Sequence, residues 1–159
     1  MAERLVVFQD GLYDELSLYV RHSAWLHAAP QRPKHDTSVA PRLSRLEKIR
    51  AECKDDGYRP DMPPVSAEYL LGYLWEMGPT MAAGGYPGPI THEELRAWQA
   101  NTGITLQPWE LRFMRRLSHE YLAESHAAEK PDRPAPWRPD EFKPESSSPQ
   151  AALRALASL

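Results

Sequence analysis

Apolar side chains recur at three- and four-residue intervals in five stretches of this chain, each bounded by proline, glycine or polar runs. That is the pattern of amphipathic helices sharing one core. Leu12, Leu16, Tyr19, Val20 and Trp25 predict a helix over 12–28, after a short apolar run from Leu5 to Phe8. PQRPKHDTSVAP, 30–41, holds three prolines and little apolar content, so it reads as a linker. Leu43, Leu46, Ile49 and Cys53 then form one stripe of a helix that starts at or just after Pro41 and stops at Gly57. YRPDMPP, 58–64, is an extended connector, because a residue before proline avoids helical angles.

The stretch VSAEYLLGYLWEMG, 65–78, is the most apolar. Ser66 is placed to cap it, and Tyr69, Leu70, Tyr73, Leu74 and Met77 give a broad face that should lie deepest. GPTMAAGGYPGP, 78–89, carries five glycine or proline positions within 84–89 and predicts an irregular loop. The following twenty-odd residues, PITHEELRAWQANTGITLQPWE, 89–110, carry the densest helix punctuation. Thr91 and Glu94 match a capping box, with Ile90 and Leu95 as its hydrophobic staple. The helix over 91–101 buries Leu95 and Trp98 and ends at Gly103, and Pro108 opens the next as its first residue. Phe113, Met114, Leu117 and Tyr121 line one face of that last helix, 108–128, with Arg112, Arg115, Arg116 and His119 on the other.

These elements predict an all-α protein: a small helical domain over 41–128 built around an αα-hairpin of the last two helices. Residues 1–40 are expected as a flexible N-terminal segment of helix and linker. Residues 129–159 are expected as a disordered tail, since six prolines between 131 and 149 and the run SSSPQ offer little surface to bury. The expected core residues are Leu70, Leu74, Leu95, Trp98, Phe113, Leu117 and Tyr121.

Composition narrows the function. A chain of 159 residues suits one domain with tails. No apolar run approaches the roughly 18 residues of a membrane span, and the N-terminus lacks the pattern of a secretory leader, so a cytoplasmic protein is expected. Cys53 is the single cysteine, read as a small apolar side chain on a helix. Nineteen basic against 22 acidic residues give a net charge of -3 and no general attraction to nucleic acid.

Nothing in the sequence marks catalytic, metal or cofactor chemistry, and no enzyme is expected. HEYLAESH, 119–126, has Ala123 where a zinc-binding helix needs its second histidine. GGYPGP follows no strand pattern and lacks the Lys-Ser/Thr of a phosphate loop. Adjacent Glu93 and Glu94 are accounted for by the helix dipole at a first turn. Helix, turn and arginine-bearing helix over 91–128 do outline a helix-turn-helix. Three arginines against four glutamates from Pro108 to Glu129 nonetheless leave no basic surface for phosphates, so this is the second reading. A surplus of aromatic residues favours a binding module, with Tyr73, Trp75, Tyr86, Trp98 and Trp109 as candidate partner-binding residues.

The order GYRPDMPP, then YLLGYLWEMG, then GPITHEELRAWQANTGITLQPWELRFMRRLSHEYL resembles the tail assembly chaperones of long-tailed bacteriophages, whose genes sit beside that of the tape measure protein. The features that carry the resemblance are Leu74 and Trp75, Gly84, Gly85 and Gly88, Pro89 and Ile90, Trp98, Trp109 and Glu110, and Tyr121 and Leu122. They lie within residues 57–125; the long N-terminal segment and proline-rich tail depart from the short form of the family. The resemblance implies a protein of the host cytoplasm, absent from the mature virion, that binds the tape measure protein, keeps it soluble and helps recruit tail-tube subunits. Self-association is left open by it.

Overall fold

The computed structural model describes residues 2–33 and 35–139, with residues 2–9 described as backbone. The fold is predominantly helical: α1 (Ala2–His27), α2 (Arg45–Cys53), α3 (Glu68–Met77), a hairpin of β1 (Met81–Ala83) and β2 (Tyr86–Gly88), α4 (His92–Thr102) and α5 (Pro108–Ala127). One hydrophobic cluster joins Leu12, Leu16 and Val20 of α1 to Leu70 and Leu74 of α3, Leu95 of α4 and Met114 and Leu117 of α5. Of the expected core residues, Leu70, Leu74, Leu95, Trp98, Phe113 and Leu117 are buried, and Tyr121 is half-buried against them.

The expectation of a flexible N-terminal segment is corrected by α1. Its apolar stripe is buried against α5, and this is the most extensive interhelical contact in the molecule. Tyr13 stands level with Arg116 and Glu120, and Arg21 level with Glu124, so the two long helices run side by side in the same direction. The expected pairing of α4 with α5 is therefore not what organises the fold. An 11-residue α4 offers α5 less surface than the 26-residue α1 does.

Local details correct several boundaries. Helix α2 begins at Arg45 because Ser44 caps it: the Ser44 hydroxyl accepts from the Glu47 N–H at 3.2 Å, and the Glu47 carboxylate accepts from the Ser44 N–H at 2.7 Å. It ends at Lys54 in a left-handed conformation, before Gly57. Only Leu46 of its expected stripe is buried; Leu43 and Cys53 are exposed, so Cys53 is not a packing residue. The N-cap of α3 is Ala67, not Ser66, and no side chain caps it. The Ser66 N–H instead donates to Glu15 of α1 at 2.9 Å, tying the connector to that helix.

The loop expected over 78–89 is a hairpin, so the fold is not purely helical. Ala83 pairs with Tyr86 across Gly84 and Gly85, whose φ angles of 59° and 92° make the two-residue turn that matches strand twist. Both ends of the hairpin are fixed by Ser118 of α5. Its fully buried hydroxyl donates to the Pro79 carbonyl and accepts from the Ile90 N–H, each at 2.8 Å.

The corner between α4 and α5 follows its punctuation. Thr91 accepts from the Glu94 N–H at 3.3 Å, Ile90 and Leu95 are buried, Gly103 closes α4 at φ 72°, and Pro108 opens α5. Residues 129–139, expected as the start of a disordered tail, are docked. Arg133 grips the buried Glu124 with two bonds of 2.9 and 2.8 Å, the Trp25 indole donates to the Arg133 carbonyl at 2.9 Å, and Trp137 packs edge-on to His22. Arg45 stacks over Trp25 and donates to the carbonyls of Ala128 and Lys130 at 2.7 and 2.9 Å. The rest of the expected tail, 140–159, lies outside the described residues.

Candidate partner-binding surface

The five candidate aromatic residues do not converge on one patch. Tyr73 lies between Tyr69 and Trp98, with ring centroids 5.7 and 5.1 Å away. Trp98 is itself buried, which makes it a core anchor supporting Tyr73 and not a contact residue. Trp109 is half-buried against Phe113, which meets Tyr13 in turn. Tyr86 projects from the hairpin and is 79% exposed. Trp75 packs edge-on to Tyr121 at 5.8 Å, and its other side opens onto a cavity.

That cavity is one of two beside the connector at residues 63–65. A volume of about 460 Å³ lies between α1, the connector and α3, lined by Tyr19, Val65, Leu71, Gly72 and Trp75, among others. A second, of about 330 Å³, lies between α1 and the connector, lined by Gly11, Leu18 and Val65 together with Asp14 and Glu15. Pro63, Pro64 and Val65 are walls of both. Each is within the size range of ligand pockets, ~300 to 1,000 Å³. Of the expected residues only Trp75 belongs here. Leu18 and Val65 carry no signal in the sequence pattern, and Tyr19 enters only as part of a helix stripe, because that helix and the connector are expected outside the core.

Burial, reinforced by a 2.6 Å hydrogen bond to Glu110, holds the Tyr69 phenol far above its ordinary range. Burial likewise raises Tyr121, and burial with the nearby Glu120 raises Tyr13. These phenols stay neutral donors at physiological pH. Among the described residues no group of three or more His, Cys, Asp or Glu is placed to hold a metal ion. No helix among them is long and apolar enough to cross a membrane.

The arginines that suggested a helix-turn-helix are dispersed around α5. Arg115 bonds His92 of α4 at 3.0 Å, while Arg116 stacks over Tyr13 of α1 at 3.7 Å. Against known proteins, the chain matches no family model, no curated sequence and no solved structure.

Proposed function

We propose that this chain is a non-enzymatic assembly chaperone of a long-tailed bacteriophage. It binds helical segments of the tape measure protein in the host cytoplasm, keeps them soluble, helps recruit tail-tube subunits, and leaves before the virion matures. The observation that carries this reading is the apolar cavity between α1 and the connector at residues 63–66, beside a second cavity bordered by Trp75 of α3. Exposed apolar surface of this kind is suited to the apolar face of a partner helix. The resemblance of residues 57–125 supplies the identity of that partner; those residues form α3, the hairpin, α4 and most of α5.

The helix-turn-helix alternative is less well supported. A recognition helix needs its basic side chains on one face toward phosphates and bases, and Arg115 and Arg116 are directed to different neighbouring helices.

Co-expression with the tape measure protein encoded by the same phage tests the proposal. The expected result is a soluble complex that co-purifies, with the tape measure protein aggregating when expressed alone. A tape measure protein equally soluble without this chain, and failing to co-purify with it, overturns the reading.

A further inference from the structure

We infer that the hairpin accepts an extended segment of a partner polypeptide as a third strand along β1, and that a lysine or arginine of that segment enters the cavity beside it. That cavity shares no lining residue with the two at the connector, so the inference does not depend on the chaperone reading.

The main chain of the hairpin is the first ground. Ala83 and Tyr86 close a two-residue turn as a hydrogen-bonded pair, and antiparallel pairs alternate. Met81 and Gly88 are therefore hydrogen-bonded, whereas Ala82 and Pro87 are not. The Ala82 N–H and C=O point away from β2, Ala82 is exposed, and no backbone group outside the hairpin bonds them. The two edges differ. On β2 the outward positions are Pro87 and Pro89, which have no N–H to offer, so that edge is blocked. On β1 there is no proline, lysine or glutamate of the kind that protects an edge. An extended backbone is what matches such a donor and acceptor pair.

The cavity at the same edge is the second ground. Its volume is about 220 Å³, room for one side chain, and it lies between α3, β1 and α4, with Thr80 and Met81 on the β1 side. The charged residues lining it are Glu76 and Glu94, with Asn101 beside them and no lysine, arginine or histidine. Glu94, Trp98 and Asn101 follow i, i+4, i+7 on α4, so one face of that helix is turned to the cavity. Trp98 is 9% exposed, and its indole N–H is buried without a partner. Two carboxylates select a cationic side chain, and a carbonyl of the entering main chain supplies an acceptor. A second copy of this chain pairing through its own β1 would bring up residues 78–91, which hold no lysine or arginine, so the partner is a different polypeptide.

The full chain is titrated with two synthetic extended peptides of alternating threonine and valine that differ only at the central residue, lysine in one and glutamate in the other. Wild type should prefer the lysine peptide by at least about tenfold, and that peptide should slow hydrogen exchange of the Ala82 amide by at least about tenfold. Ala82→Pro should stay folded, because this N–H makes no bond to β2 and Pro87 already occupies the position opposite, and should weaken binding about fivefold. The double variant Glu76→Gln, Glu94→Gln leaves the edge intact and should bring the two peptides to within about twofold of each other. Failure of the lysine peptide to bind, equal binding of both peptides by wild type, binding unchanged by Ala82→Pro, or a preference retained in the glutamine variant overturns the inference. Protection of the Ala82 amide that grows with protein concentration in the absence of peptide would make a second copy the occupant, and overturns it too.

Discussion

Toward its C-terminus α1 is tied to α5 and to residues 129–139 by buried charges and their partners, whereas nearer its N-terminus one face of the same helix lines an open apolar cavity. At the first place Arg45 reaches three backbone carbonyls, and Glu124, 3% exposed, is held by Arg133 and approached by Arg21 at 3.5 Å. Charges taken out of water are stable only with such partners, so this end is closed by these bonds, with a smaller cavity of about 210 Å³ beside them lined by Ala24, His27, Arg42 and Tyr121, among others. At the second place the cavity against the connector is apolar, and open apolar surface costs less than an unpaired charge. The difference teaches where a partner is accepted at lower cost: docking onto Arg45 and Glu124 would break bonds already made, while docking at the apolar cavity only buries what is now exposed.

Substitutions that affect both ends or one end separate these roles. The largest effect is expected from Leu117→Ala, since Leu117 is fully buried in α5 between them. A loss of about 2 to 5 kcal/mol is expected in chemical denaturation, with one transition in which both ends unfold together. Two separated transitions would show the ends to be independent. Arg45→Met should cost about 2 to 4 kcal/mol, because the Ala128 and Lys130 carbonyls lose their donor. Retention of the tape measure protein should be unchanged in that variant, and a parallel loss would mean the ends are coupled.

What was legible in the sequence was whatever a short window specifies. Thr91 with Glu94, Gly103 and Pro108 act on neighbours within four residues, and their helices begin and end accordingly. Ser44 and Glu47 form the same kind of local signature and were passed over in favour of Pro41. Gly84-Gly85 was legible too, as a two-residue hairpin turn, but counting glycines and prolines as breakers concealed it. Other features are not local. Ser118 joins residues 79 and 90, and Arg133 pairs with Glu124 only once the chain has turned back along α1. The apolar stripe of α1 was visible, but the linker after it gave no indication that the helix returns to the core. The cavities are the least legible feature, since they arise between α1 and residues that follow it only after the linker and α2.

The smallest effect expected is a pH dependence confined to the closed end. His22 lies against Trp25 and Trp137 at centroid distances of 5.9 and 5.5 Å, and burial pushes its imidazole below the ordinary 6.5, with the Asp61 carbonyl partly opposing the shift. Below pH 6.5 the unfolded chain therefore takes up a proton that the folded chain resists. The sign follows: the contribution of His22 to stability is full above about pH 6.5 and declines as pH falls toward the depressed folded value. Carboxylates titrate later on the way down; the Glu47 carboxylate, hydrogen-bonded to Ser44, is held below its ordinary 4.5. Between about pH 7.5 and pH 5 the Tm of the wild-type protein should fall, and His22→Gln, which cannot take up that proton, should fall less. Equal slopes for the two proteins would show that the ring does not titrate in place. A change in retention of the tape measure protein over the same range in wild type but not in His22→Gln would mean that loosening the closed end reaches the apolar cavity, and the separation between the two regions would no longer hold.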